Sequence, residues 1–313
     1  MSQHKLMVGT RGSALALWQT GHVVERLQAL APDLQVEVKT IQTLGDEVRD
    51  RALARVGGKG LFVKEIEAAL LAEEIDLAVH SLKDMPTELP EGLCLAAILE
   101  RADPHDALVV AEGPGHLEGL PPGARVGTSS LRRQAQLLAL RPDLRVVDVR
   151  GNVDTRLRKL RDGEADALLL AAAGLVRLGR AEAIGQILPA DRMLPAVGQG
   201  ALCVEVRSND ERTQALVGQL DHRATHQATD AERAFLRRLE GGCQVPIGAY
   251  AEVSAGTLYL RGLVASLDGS RLLRDEIHGP AGHAARLGTE LAEKLLAAGA
   301  GALLDEIERN QAT

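Results

Sequence analysis

"EEIDLAVH" at residues 73–80 and "GEADALLL" at 163–170 share one grammar: an acidic helix end runs directly into a short apolar strand. A run of four to eight apolar residues bounded in this way reads as a strand buried on both faces. Each stretch closes a longer pattern. Before the first come "KLMVGT" as a strand, "SALALWQTGHVVERLQAL" as a helix, "QVEVKTIQT" as a strand and "LFVKEIEAALLAEE" as a helix. "VGT" at 8–10 recurs at 126–128, each time ending a strand and opening a polar loop before a helix. Strand–helix–strand order implies mainly parallel sheets with helices on both faces. The likeness is short, and two similar α/β domains are the economical reading of it.

"ERADPHDALVV" (100–110) and "LPAVGQGALCVEV" (194–206) read as crossings between these domains. Gly198 and Gly200 make the second a hinge candidate, and its strand is expected to return to the first domain. From about residue 221 the style changes. "TDAERAFLRRLEGG" has capping-box spacing, Thr229 to Glu232, and a glycine stop. "PIGAYAEVSA", "TLYLRGLVASL" and "SRLLRDEIHG" follow as strands, the last two joined by Asp268-Gly269, and two helical patterns close the chain. The expected division is therefore 1–100 with 197–220, an α/β domain; 101–196, a second; and 221–313, a small α+β domain with a three-stranded antiparallel sheet.

Composition narrows the function. The 313 residues are 45% hydrophobic and 25% charged, an ordinary globular balance. Five aromatic side chains and a net charge of -7 leave few stacking platforms and little attraction for nucleic acid. No stretch approaches the ~18 apolar residues of a membrane span, and "MSQHKLMVGT" lacks a signal-peptide core. Three cysteines without CxxC pairing indicate neither a disulfide framework nor a metal site. A cytoplasmic protein with reduced thiols is expected.

In open sheets, ligands collect beyond the carboxyl ends of the strands. "GTRGS" (9–13), "HSLKDMP" (80–86), "GTSSLRR" (127–133) and "RGNVDTR" (150–156) take that place. The first and third put hydroxyls and free N–H groups at helix starts, which serve equally as anion sites or as plain caps. Residues 125–161 hold ten basic and three acidic side chains, a local +7 within a negative chain. Arg158 and Arg161 read as a solvated face. Arg132, Arg133, Arg150 and Arg156 lie in or beside the loops, and with Arg11 and Arg177 they fit a ligand bearing many carboxylates, which guanidinium forks match. Lys83 and Asp84 sit at a loop mouth, either as a structural ion pair or with Asp84 facing developing positive charge. His80-Ser81 carries little weight as a hydrolase pair, because neighbours on a strand point to opposite faces.

Cys94 and Cys203 lie in apolar runs and read as small core residues. Cys243, in "RLEGGCQVPIG" (238–248), follows a helix C-terminus, where the dipole raises a thiol's pKa. That disfavours a turnover nucleophile and favours a thiol that reacts once and then carries a group.

"TRGSALALWQ", "GGKGLFVKEIE", "DLAVHSLKDMP", "VGTSSLRRQAQL", "RGNVDTRL", "LPAVGQGA" and "RLEGGCQVPIGAY" together resemble, in order over residues 6 to 310, the signatures of the porphobilinogen deaminase (hydroxymethylbilane synthase) family. The resemblance implies a cytoplasmic, monomeric transferase of haem-type tetrapyrrole biosynthesis. It joins four porphobilinogens head to tail into hydroxymethylbilane, releasing four ammonia molecules, on a dipyrromethane cofactor bound by a thioether to Cys243. It implies two domains like periplasmic binding proteins plus a third carrying that cysteine. Asp84 takes the essential aspartate position, facing pyrrole N–H groups and cationic azafulvene-like species. Lys83, Thr128, Ser129, Ser130, Arg132 and Arg133 fall on cofactor-binding positions. Arg11, Ser13, Arg150, Arg156, Arg177 and Gln199 fall on substrate-side or chain-handling positions, Gln199 at the interdomain crossing. Lys59 and Phe62 fall on a mobile loop; no metal and no nucleic acid is implied. Arg55 stands where many relatives have lysine, and "TLGDEVRDRAL" (43–53) belongs to a variable part of the pattern. Two other readings share some of these features: a solute-binding module, which has no use for Cys243, and a cysteine acyltransferase or hydrolase, for which no histidine partner is evident.

Overall fold

The computed structural model describes residues 5–43, 63–111, 115–239 and 245–312. The elements run β1 (Lys5–Thr10), α1 (Ala14–Leu30), β2 (Gln35–Thr40), α2 (Lys64–Leu71), β3 (Leu77–Ser81), β4 (Leu93–Ile98), β5 (Asp106–Val110), β6 (Arg125–Gly127), α3 (Leu131–Leu140), β7 (Arg145–Val147), α4 (Val153–Arg161), β8 (Ala167–Ala171), α5 (Ala172–Arg177), β9 (Gln186–Leu188) and β10 (Leu202–Arg207). After these come α6 (Glu211–Val217), α7 (Arg223–Arg238), β11 (Ile247–Ser254), β12 (Thr257–Ala265), β13 (Leu272–Pro280), α8 (Ala284–Ala297) and α9 (Ala300–Ala312).

The repeated grammar produces two five-stranded sheets of one design, ordered β2-β1-β3-β10-β4 and β7-β6-β8-β5-β9. In each, three neighbouring strands are parallel, and the fourth, β10 or β5, runs against both of its neighbours. The strand after "VGQG" does return to the first sheet, as β10. Matching strand entries are held alike: Asp76 accepts the Met7 N–H at 2.8 Å, and Asp166 accepts the Arg125 N–H at 2.7 Å. A carboxylate that bonds the neighbouring strand's backbone fixes register where hydrophobic packing alone would allow slippage.

The chain forms two compact units, residues 1–102 with 201–226 and residues 103–200 with 227–313. In the first, α1 buries Ala16, Gln19, Thr20, Val23 and Leu27, the three-to-four spacing of one helix face, and Val23 and Leu27 pack with Val8, Leu77 and Val204 of the sheet. The opposite face takes α2 through Ile66, Ala69 and Leu70, against Ala78 and Leu93.

The second unit holds the second sheet and an antiparallel sheet, β11-β12-β13. The turn at Asp268-Gly269 is as expected: Asp268 Oδ1 accepts from Ser270 N and from the Ser266 hydroxyl. The two sheets of this unit share a core in which Ala135 of α3, Ala190 and Leu194 pack with Tyr250, Leu263 and Ala265. Polar contacts reinforce it, with Gln134 Nε2 donating to Leu267 O at 3.3 Å and Arg274 donating to Gln136 Oε1 at 3.2 Å.

One expectation fails here. Thr229 and Glu232 do not cap a helix, because α7 begins earlier, at Arg223, and both residues are buried inside it. The Glu232 carboxylate serves distant chain instead, accepting from Gly198 N at 2.7 Å and Ala251 N at 2.8 Å. It thereby ties the glycine-rich crossing to β11. Gly198 and Gly200 both adopt positive φ, which their missing side chains permit.

Helices α7 and α8 meet at Gly288, where a Cβ would fall 2.1 Å from the Ala231 carbonyl oxygen and 2.9 Å from Phe235 N. Neither contact can yield, since both belong to helix backbone. Gly288→Ala is expected to separate the helices and cost about 1–3 kcal/mol, read as a lower urea midpoint with an unchanged m-value. An unaltered midpoint would count against this close approach.

Candidate functional site

In the first unit, Ser81 ends β3 and the chain tightens into a 3-10 turn at Leu82–Asp84. Leu82 and Met85 are the buried anchors, packed with Val63, Ile98, Ala201 and Cys203. Burial of two such side chains is worth about 1.5–3 kcal/mol each, enough to fix a short turn. Leu82 N donates to Ala201 O and Met85 N to Leu82 O, which uses the turn's backbone groups. Lys83 and Asp84 lie between the anchors, Lys83 half-buried and Asp84 exposed. Among the described residues the two form no ion pair with each other.

A cavity open to solvent adjoins this turn, lined by Arg11, Ser13, Gln19, His80, Ser81 and Asp84 among others. The end of β1 delivers Arg11 and Ser13; the end of β3 delivers the rest except Gln19, which comes from α1. Ser13 also caps α1, its hydroxyl accepting from Ala16 N at 3.2 Å. His80 and Ser81 point to opposite faces: Ser81 accepts from Gln19 Nε2 at 2.8 Å, whereas the His80 ring lies 3.1 Å from Glu205 on β10. The low weight given to that pair as a hydrolytic dyad agrees with this geometry.

In the second unit the loop after β6 places Thr128, Ser129 and Ser130 before α3. Thr128 Oγ1 accepts from Ser130 N, and the Ser130 hydroxyl accepts from Arg133 N as the helix cap, while Ser129 is exposed. Those bonds use oxygen lone pairs and leave each O–H able to donate. Arg132 and Arg133 are both buried, and Asp106 at the start of β5 is fully buried between them. Arg132 Nη1 donates to Asp106 at 2.6 Å and to Leu194 O at 2.7 Å; Arg133 Nε donates to Asp106 at 2.9 Å and Nη1 to Leu169 O at 3.0 Å. Gln199 Nε2 adds a bond to Asp106 at 2.9 Å. Burial alone would raise the Asp106 pKa, but the two guanidiniums overcome it and hold the carboxyl well below the usual range. The Arg132 Nε is buried and without a partner.

The remaining arginines are partly buried. Arg150 Nε donates to Asp148 at 2.7 Å and Arg156 Nε to Gly151 O at 2.8 Å. Arg177 donates to Gly200 O at 2.7 Å, and burial pushes its pKa down to about 10, which leaves it charged at neutral pH. Lys59, Phe62 and Cys243 lie outside the described residues. Asp106 and the His80–Glu205 pair were not singled out from sequence, although each carboxylate interrupts or opens an apolar strand, "DALVV" and "LCVEVR".

Asp106 also sets a stability prediction. Asp106→Asn removes the counter-charge of two buried guanidiniums and is expected to cost about 3–5 kcal/mol. The native pKa of Asp106 is depressed, so the wild type gains this stability above the unfolded carboxylate range and loses it as pH falls through the lower native value. The variant's deficit in chemical denaturation is therefore full at pH 7 and shrinks toward pH 3; equal deficits at both would sink the assignment.

Two family models cover most of the chain: "Porphobilinogen deaminase, dipyromethane cofactor binding domain" over residues 6–215, and "Porphobilinogen deaminase, C-terminal domain" over 226–297. The chain belongs to the porphobilinogen deaminase family. Curated porphobilinogen deaminases agree along their whole length. That of Pelotomaculum thermopropionicum is 54% identical over 309 residues, 99% of each chain. That of Geobacter metallireducens is 53% identical over 311 residues, 99% of this chain and 97% of the relative. Among solved structures, the Bordetella pertussis BvgS VFT2 domain aligns with 69% of this chain and 85% of its own at 16% identity and a TM-score of 0.43. The methionine binding protein MetQ aligns with 72% of this chain and 90% of its own at 12% identity and a TM-score of 0.44.

Proposed function

We propose that the first unit's cavity is where porphobilinogen reacts, with Asp84 as the charged group that faces the substrate. The activity is that of a porphobilinogen deaminase, a transferase that builds hydroxymethylbilane on a covalently held dipyrromethane. In each cycle the C–N bond of a substrate aminomethyl group breaks and ammonia leaves. A C–C bond would then form to the free α-carbon of the terminal pyrrole, that carbon losing its proton, and after four cycles water would add to the chain's attachment carbon to free it as hydroxymethylbilane. No electrons are exchanged with an outside partner. Positive charge develops on the substrate as ammonia departs, and a fixed carboxylate beside it lowers the barrier. Asp84 supplies that charge, and its exposure at the cavity without a cationic protein partner among the described residues carries the reading.

The dipyrromethane brings acetates and propionates, and the residues present fit it. Arg132 keeps a buried donor unspent, and Thr128, Ser129 and Ser130 retain hydroxyl protons for carboxylates. Lys83 and Arg133 complete the proposed cofactor set, with Cys243 as the thioether anchor. When bound, the cofactor supplies the pyrrole end to which the first substrate is joined. Arg11, Ser13, Arg150, Arg156, Arg177 and Gln199 are assigned to the carboxylates of incoming and growing chain, and Lys59 and Phe62, outside the described residues, to an active-site loop. The three-domain division at 100, 196 and 220 is part of the proposal, supported by separate apolar cores around β10, β8 and β12. So are a cytoplasmic location and a monomer. Among the described residues no helix is long and apolar enough to cross a membrane.

Purified protein supplied with porphobilinogen is expected to release four ammonia molecules per hydroxymethylbilane, and its intact mass to exceed the polypeptide by two pyrrole units. A bare polypeptide mass in protein that turns over substrate would overturn the covalent assignment, and absence of ammonia release would overturn the activity.

A further inference from the structure

The wall behind Asp84 contains a charge cluster that the reaction as written does not use. His80 and Glu205 are buried, their Nε2 and Oε2 atoms 3.1 Å apart. Glu67, on α2 over the same face of the sheet, is also buried, and burial first and the Glu205 charge second push its carboxyl pKa up. One oxygen of Glu67 and one of Glu205 have no hydrogen-bond partner. Lys64 on α2 opposes the excess negative charge from a distance. From β10, Cys203 Sγ reaches the His80 carbonyl at 3.7 Å; from β4, Cys94 feels Glu205, though burial is the larger cause of its raised pKa. On the cavity side His80 shares the lining with Arg11 and Asp84. Among the described residues no cluster of His, Cys, Asp and Glu is arranged to hold a metal ion, so ligation does not account for this one.

As a device for stability the cluster is poor, since apolar side chains of the same volume would serve as well or better. Its position suits another task. The exit of β3 is pinned at consecutive residues: His80 to Glu205, Ser81 to Gln19, and Leu82 N to Ala201 O. Only the first pin is ionisable, and it stands four residues before Asp84. Resting on the activity proposed above, we infer that Glu205 is a positioning residue acting through His80: it holds the imidazole against β10 and so holds the turn that presents Asp84.

The test uses the holoprotein. Glu205→Gln keeps the shape and an acceptor for the His80 Nε2–H but removes the charge. Expected are an unchanged covalent mass, a KM for porphobilinogen within threefold of wild type, and a kcat lowered at least tenfold. His80→Gln can still donate to Glu205 but lacks the ring, and the double variant is expected to be no slower than His80→Gln alone. A wild-type kcat in Glu205→Gln would overturn the inference while leaving the deaminase reading intact. A kcat that falls only with the folded fraction would do the same. A wild-type protein that releases no ammonia would overturn both.

Discussion

Replacing Cys243 with serine is expected to remove the covalent mass and the turnover together. An anchored chain meets each new substrate as an intramolecular partner, an advantage worth effective molarities of about 10⁵–10⁸ M in favourable geometries. A serine hydroxyl lacks the nucleophilicity to form the equivalent bond, so intact mass should fall to the polypeptide and turnover by at least about a thousandfold. The other thiols are poor substitutes. Cys203 is fully buried, with its sulfur against the His80 carbonyl, and burial pushes the Cys94 thiol pKa up, away from the reactive thiolate. Mass spectrometry of the intact protein and of its peptides checks both halves. An active Cys243→Ser protein, or an adduct found on Cys94, would refute the anchor.

Asp84→Asn should separate chemistry from assembly. The amide keeps the side chain's shape and one acceptor but loses the charge, and turnover should drop by about 10²–10⁴-fold. The covalent mass should remain in whole or part, and the thermal midpoint should hold, because Asp84 is exposed and makes no ion pair among the described residues. Normal turnover in Asp84→Asn would remove this residue from the reaction. A large fall in the midpoint would instead make it a structural residue.

The sheet architecture was readable because buried parallel strands are apolar on both faces and therefore stand out as runs. "IDLAVHS" and "ADALLLA" became β3 and β8 at matching places in matching sheets. The loops at the strand ends were readable for a related reason: only there can polar residues cluster between a strand and a helix. What escaped was the long-range use of polar side chains. Thr229 and Glu232 have capping-box spacing, yet Glu232 is spent on Gly198 and Ala251, contacts that no local pattern announces. Asp106 opens a strand like any loop residue, and its hold on Arg132, Arg133 and Gln199 exists only after folding brings three segments together. Arg132 and Arg133 read in sequence as ligand-loop arginines, and their burial against Asp106 was not part of that reading. Glu205 gave one faint sign, a lone acid in "LCVEVR", where an unsatisfied charge would be costly.

The core shared by α3 and the antiparallel sheet has a mechanical corollary. Ala135 interlocks with Leu263 and Ala265 on the helix that carries Arg132 and Arg133. Close-packed interfaces of this kind switch between arrangements and do not stretch. The span from those guanidiniums to β11 therefore behaves as a ruler of constant length, whatever the product's length. Four additional rings must find their slack elsewhere in the molecule, and a crosslink stapling α3 to β12 should leave the count of rings in the product at four.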